Sequence, residues 1–322
     1  MANHRVFVSY RRSDQANDVD RLRKGLERVL GSVTFVDAHS IRGGYDFFET
    51  IRKALFDCEV LLAVIGPRWE TLLQEKTDGE KDYVRIEIDE ALKRGIPIIP
   101  VLLNRAEMPR EADLPPGLRP LAGRQAIVVG RRGIRYRGLE ELSWTISSKF
   151  LEDRYRGQAR IDAFKRQEIV RECAAKNLIS ETLAKKSELV VLREGETLYP
   201  MGTDGKVLYF VLSGRLTLNA GGWWHHYLLE PDEIVGEFPI LLKGQPTYLA
   251  KVKARELSAV AWVPAKDFED IADANPDLWR GIGKMLAQRL IGSNRQRRRF
   301  ERWAVVATAA AILFLSIILL RG

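Results

Sequence analysis

Between Asp82 and Arg94, the apolar residues Val84, Ile88, Ala91 and Leu92 recur at helical spacing and predict the buried stripe of an amphipathic helix. Glu87 falls inside that stripe, whereas its neighbours Asp89 and Glu90 fall outside it and read as solvated charges. A carboxylate on an apolar face is costly unless it is paired or faces a polar cleft. Two chemistries fit. Glu87 is either a functional carboxylate at a ligand site or one half of a structural salt bridge, with Arg11 or Arg12 as partner. Other constellations carry less. The two cysteines, Cys58 and Cys173, are too few for a disulfide framework and suit a reducing compartment. The four histidines show no zinc-ligand spacing, and His225–His226 beside Trp223–Trp224 reads as a hairpin edge. Gly202–Lys206 is not a phosphate-binding loop, because Val207 stands where Ser or Thr is required.

The elements that must position Glu87 alternate. Arg5–Tyr10, Val33–Asp37, Val60–Ile65, Ile96–Leu103 and Gln125–Val129 predict strands. Helical stretches intervene: one carries Leu22, Leu26, Val29 and Leu30, another spans Phe47–Leu55, and Asp82–Arg94 is closed by Gly95. Val60–Ile65 is continuously apolar, as a strand covered on both faces must be. This pattern predicts an open, flavodoxin-like α/β domain with a parallel sheet over residues 1–150. In such sheets ligands bind at the carboxyl ends of the strands, where the helix carrying Glu87 begins.

Residues 151–188 read as a charged helical connector. From Leu189 short strands alternate with glycines such as Gly195, Gly202, Gly214 and Gly236, which predicts a small all-β roll, with helix returning from Phe268 to Leu290. Trp303–Leu320 holds no charge and no proline. At about 1.5 Å per residue it would span roughly 27 Å, close to a bilayer core. Residues 293–302 before it are rich in arginine, which predicts a single-pass C-terminal anchor with the domains in the cytoplasm. The net charge of +8 favours acidic or phosphate-bearing partners without choosing among them.

Four separated segments, VFVSYRRSD, FVDAHSIRGG, LLAVIGPRW and DYVRIEIDEALKRGIPIIPVLL, resemble the motifs of bacterial Toll/interleukin-1 receptor (TIR) domains, in order, from residue 5 to about 145. TIR domains that hydrolyse NAD carry their catalytic glutamate in an Asp-Trp-Val-x-x-Glu motif. Asp82–Glu87 matches it with Tyr83 in place of the tryptophan. The resemblance therefore implies that Glu87 is catalytic and that NAD is cleaved between nicotinamide and ribose. Loss of the cationic nicotinamide builds oxocarbenium character on the ribose, so one fixed carboxylate suffices and no general acid is needed. Tyr10, Arg11, Arg12, Trp69 and Tyr83 become candidates for binding NAD. The loop Ile41–Asp46 corresponds to the family's self-association loop.

REGETLYPMGTDGKVLYFVLSGRLTL and VGEFPILLKGQPTYLAKVKA resemble cyclic-nucleotide-binding domains, with a following helical lid, over 189–292. The resemblance implies a phosphate cradle at Gly236, Glu237 and Phe238, with Glu237 accepting the ribose 2′-hydroxyl. The family's phosphate-binding arginine is missing. Its place falls near Thr247 and Tyr248, whose hydroxyls are candidate substitutes. A TIR domain joined to such a roll resembles the effectors of Pycsar anti-phage defence. That implies activation by a cyclic pyrimidine nucleotide, cUMP or cCMP, from a partner cyclase, followed by TIR self-association and abortive loss of cellular NAD. The expected set is NAD as substrate, a cyclic mononucleotide as activator, no further cofactor, no nucleic acid partner, and the bacterial inner membrane as location. The alternatives are a non-enzymatic TIR scaffold or a membrane-disrupting effector gated by the same nucleotide. A transcription regulator would need a helix-turn-helix after the roll, for which the basic segment and apolar run leave no room.

Overall fold

The computed structural model describes residues 4–31, 33–36, 47–75, 82–132, 135–220, 226–241 and 247–289. The chain divides into two compact units, Met1–Asp153 and Arg154–Gly322. The loop Ile41–Asp46 and the segments 293–302 and 303–320 lie outside the described residues. Among the described residues no helix is long and apolar enough to cross a membrane.

In the first unit, β1 (His4–Ser9), β2 (Val33–Val36), β3 (Val60–Ile65), β4 (Ile98–Leu103) and β5 (Ile127–Arg132) form one sheet in the order β2-β1-β3-β4-β5. All of these pairings are parallel. A short β6 (Arg135–Arg137) adds an antiparallel edge to β5. The arginine-rich sequence there has no apolar alternation, which is why pattern reading passes over it. Pro100 stands in the interior strand β4. The Pro97 carbonyl accepts from Leu61 N–H, so alternate residues of β4 face β3 and Pro100 faces β5. Pairing with β5 begins only at Val101, so the proline removes no bond from that ladder.

The helices cover both faces. α1 (Arg12–Leu30) and α6 (Leu139–Arg154) cover one, packing Val19, Leu22, Leu26, Leu142 and Ile146 against Val6, Val8 and Leu62. Val29, expected on the buried stripe of α1, is exposed. α2 (Phe47–Phe56), α3 (Trp69–Gln74) and α4 (Tyr83–Lys93) cover the other face, where Ile51, Leu55, Trp69, Val84 and Ile88 meet Phe7, Leu61 and Ile65. The short α5 (Arg119–Ala122) adds Leu121 to the same core.

The second unit holds two four-stranded antiparallel sheets, ordered β11-β10-β13-β8 and β12-β9-β14-β7. Their strands are β7 (Glu188–Leu192), β8 (Thr197–Tyr199), β9 (Val207–Ser213), β10 (Leu216–Asn219), β11 (His226–Leu229), β12 (Ile234–Val235), β13 (Lys251–Ala254) and β14 (Ser258–Pro264). The helices preceding the roll are part of this unit rather than a linker: α7 (Gln158–Arg166), α8 (Glu168–Arg171) and α9 (Lys176–Lys186). Phe164 packs edge-on against Phe210, and Tyr155 Oη and Gln167 Nε2 donate to the carbonyls of Leu212 and Val211. After the short α10 (Phe238–Leu241), the expected Phe268–Leu290 helix is broken around Pro276 into α11 (Ala265–Asp273) and a helix over residues 277–289, α12.

Candidate functional site

The carboxyl edge of the first sheet is held by an ion pair. Asp82 is the N-cap of α4, and its Oδ1 accepts from Arg85 N–H at 3.2 Å. Its Oδ2 accepts from Arg11 Nη2 at 2.6 Å, and both side chains are buried. Arg11, the residue before α1, also lays its guanidinium over the Trp69 ring, 5.5 Å from the centroid. One arginine thus ties the end of β1 to the start of α3 and the start of α4. Gly66, after β3, allows the close approach, because a Cβ there would strike the side chains of Asp14 and Gln15. Several buried polar atoms around this edge have no hydrogen-bond partner: Ser9 Oγ, Arg11 Nε, Asp14 Oδ2 and Trp69 Nε1.

Glu87 lies on α4 beyond this clamp, with Val84, Ile88 and Ala91 buried on the same helix, and is itself 2 % exposed. Its expected burial on the apolar stripe holds. The expected pairing alternatives resolve in part: the Arg11 guanidinium bonds Asp82, and Arg12 opens α1 on the exposed side. Tyr83, half-buried, is the first residue of α4 beside the cap.

Two candidate NAD-binding residues are packed into the cores of the domain. Trp69 is 1 % exposed and belongs to the core under α2–α4, where its ring meets the Arg11 guanidinium. Tyr10 packs with α1 and α6 on the opposite face of the sheet from α4. Alternation explains this: Val6, Val8 and Tyr10 share one face of the strand and its extension. Asp82, which the sequence offers only as the start of a motif, is the residue that fixes the helix. Its signal is the N-cap position ahead of an apolar-periodic run.

In the roll, Gly236 adopts φ +94°, and a Cβ there would sit 2.9 Å from the Val207 carbonyl oxygen, so only glycine fits. Glu237 follows and is 1 % exposed. Both line a cavity of about 180 Å³ with Tyr199, Leu218, Phe238 and Tyr248. Phe238, at the start of α10, is partly exposed. Tyr248 lies flat against Tyr199, with ring centroids 3.9 Å apart.

The Tyr248 hydroxyl, an expected substitute for the missing arginine, donates its one proton to the Val207 carbonyl at 2.8 Å. Thr247 is half-buried and bridges to Asp204. The arginine that sequence reading does miss comes from α12. Arg289 Nη1 donates to Glu237 Oε1 at 2.9 Å, and its Nη2 bonds the Ile234 carbonyl and lies 3.5 Å from Glu233. Its guanidinium lies over the Tyr227 ring, 5.3 Å from the centroid. Burial raises the pKa of Glu237, and the Arg289 charge opposes that rise. Nothing local in the sequence marks this partner, which lies 52 positions away on another helix.

Comparison with known proteins agrees with this division. Residues 6–142 match the TIR domain family, and residues 189–275 match the cyclic nucleotide-binding domain family. The Pycsar effector protein BcPycTIR of Burkholderia cepacia is 29% identical over 170 residues, covering 50% of this chain and 54% of that protein. The chain thus spans about half the length of this curated relative. Among solved structures, the sensor domain of the transcriptional regulator DNR from Pseudomonas aeruginosa is 18% identical, with 41% of this chain and 89% of that chain covered and a TM-score of 0.35. The catabolite activator protein of Thermus thermophilus is 22% identical, with 40% and 61% covered and a TM-score of 0.34. Residues 6–142 of the chain are a TIR domain, and residues 189–275 are a cyclic nucleotide-binding domain.

Proposed function

We propose that the chain is a cyclic-nucleotide-activated NAD hydrolase, releasing nicotinamide and ADP-ribose as a Pycsar-type anti-phage effector. The observation that carries this reading is Glu87: a buried carboxylate on the apolar face of α4, in a TIR domain, behind a helix start clamped by Arg11 and Asp82. A carboxylate fixed in this way stabilises the positive charge that grows on the ribose as nicotinamide departs, without reorganising at the moment of reaction. Nicotinamide leaves as a neutral molecule, and water completes the hydrolysis. Arg12, exposed at the first turn of α1, is the cation in place to meet the NAD diphosphate.

The second unit supplies the control. A cyclic pyrimidine nucleotide, cUMP or cCMP, occupies the cavity at Gly236 and Glu237 and favours a state in which TIR domains of several chains meet. The loop Ile41–Asp46 mediates that meeting. The apolar run 303–320 anchors the chain in the inner membrane, holding the domains in the cytoplasm and confining protomers to two dimensions.

The direct test is nicotinamide release by purified chain with NAD and a triggering cyclic mononucleotide. Glu87→Gln keeps the size of the side chain and removes its charge. We expect a loss of about 100-fold or more in rate, with ligand binding to the roll unaltered. Full activity in that variant refutes the assignment.

A further inference from the structure

The end of β4 is strained. Leu103–Ala106 is a turn closed by Ala106 N–H on the Leu103 carbonyl at 2.9 Å. Both of its central residues, Asn104 and Arg105, have positive φ, +52° and +66°. Among the described residues only Asp232 is a third non-glycine residue with positive φ. Asparagine tolerates the left-handed region better than most side chains, but two such residues in succession still cost free energy. Asn104 is exposed, and by residue type it reads as ordinary surface.

Its side chain shows what the turn holds. Nδ2 donates to Gln15 Oε1 and to Asp18 Oδ2, each at 2.8 Å. Asp18 is a carboxylate that only accepts, so it fixes which way the Asn104 amide faces. Gln15 is 6 % exposed and breaks α1, because its φ of −139° and ψ of 18° are not helical. The first turn of α1 is therefore a piece of its own. The N–H groups of Asp14 and Gln15 both donate to the Arg11 carbonyl, at 3.0 and 3.1 Å. Gln15 Nε2 donates on to Asp14 Oδ1 at 3.3 Å. Both side chains pack on Gly66, where a Cβ would sit 2.3 Å from Asp14 Oδ2 and 2.5 Å from Gln15 Nε2. This turn is pinned at its two ends: Arg11 is held by Asp82 and Trp69, and Gln15 by Asn104. Arg12, exposed, lies between the pins.

We propose that Asn104 is a positioning residue for NAD: from the end of β4 it holds the separate first turn of α1, and with it Arg12, where the diphosphate arrives. The proposal rests on the reading that this edge binds NAD through Arg12. Asn104 meets no reacting atom and acts through Gln15. The strain of its turn is offset by two hydrogen bonds, one of them to a carboxylate, and the result is a fixed place for Arg12.

The test is nicotinamide release by the full chain with NAD and saturating cUMP or cCMP. Asn104→Gly keeps the left-handed backbone and removes both hydrogen bonds. The KM for NAD should rise about tenfold with kcat within about twofold, as for lost substrate binding rather than lost chemistry. Arg12→Ala should show the same split. Because Asn104 acts through Arg12, the double variant should be no more than about twofold worse than Arg12→Ala alone. Effects that multiply, a fall in kcat with KM unchanged, or wild-type kinetics in Asn104→Gly would each overturn the proposal. Hydrogen exchange of the ligand-free chain keeps the two readings separate. In Asn104→Gly the Asp14 and Gln15 amides should exchange at least about tenfold faster, while those of Leu22 and Leu26 keep the wild-type rate. If exchange rises there and the wild type releases no nicotinamide with either nucleotide, the NAD reading falls while the clamp stands. If those two amides keep the wild-type rate, the proposal falls.

Discussion

The two units each bury an arginine against a carboxylate, and the arginines serve different ends. In the TIR domain Arg11 bonds Asp82, the cap of the helix that also carries Glu87. In the roll Arg289 bonds Glu237, the proposed ligand-binding carboxylate itself. The first pair fixes backbone: it joins the end of β1 to the start of the helix that carries the working acid. The second pair sets a guanidinium against a carboxylate that lines the cavity of the roll. The Arg289 guanidinium favours the charged form of Glu237, against the burial that raises its pKa.

This contrast can be broken by mutation. The largest stability effect is expected from Asp82→Ala, which removes the cap and strands Arg11 in a buried position. We expect a loss of about 3–5 kcal/mol in the TIR unit, the usual consequence of breaking one side of a buried pair. Denaturant melting of the chain measures it, and a loss below about 1 kcal/mol would mean that the pair does not clamp the helix. Nucleotide affinity should not change in this variant, because the roll has its own core around Val211, Val252 and Val260.

A smaller effect is expected from Tyr248→Phe. The Val207 carbonyl loses its donor, at about 1 kcal/mol. Affinity for a cyclic nucleotide should change by less than about threefold, since the proton in question already points to the backbone. A much greater loss of affinity, read by calorimetry, would return Tyr248 to the role of phosphate ligand.

The smallest effects sharpen the comparison through the two buried cysteines, Cys58 in the first unit and Cys173 in the second. Burial pushes the Cys58 thiol up to about 12, and its Sγ–H donates to the Ala54 carbonyl. At about pH 8 the folded chain should therefore resist alkylation there, and labelling should follow only local opening. Burial raises the Cys173 thiol as well. Asp82→Ala should speed labelling of Cys58 and leave Cys173 at the wild-type rate. Equal acceleration at both, seen by mass spectrometry, would show that the units do not open separately.

Much of the fold is legible in the chain because burial writes itself into spacing. Val60–Ile65 is apolar throughout and forms the fully buried strand that such a run predicts. The stripe of α4 already implies the burial of Glu87. Residue type alone misleads where it stands in for geometry. Trp69 and Tyr10 are aromatic residues near a ligand edge, yet packing takes both, one on each face of the sheet. The helices 158–186 carry enough charge to read as a connector, while their buried residues, such as Phe164 and Ile169, close the roll. Arg289 is hidden for a different reason: its meeting with Glu237 depends on how α12 folds back, which no local pattern encodes.

The central claim is that Glu87 works only when the cavity of the roll is filled. Nicotinamide release by the purified chain, measured with NAD and each of cAMP, cGMP, cCMP and cUMP in turn, tests it most directly. The account predicts negligible release without nucleotide and rapid release with cUMP or cCMP. Equal NAD loss with and without nucleotide, or no loss with any of them, would contradict it.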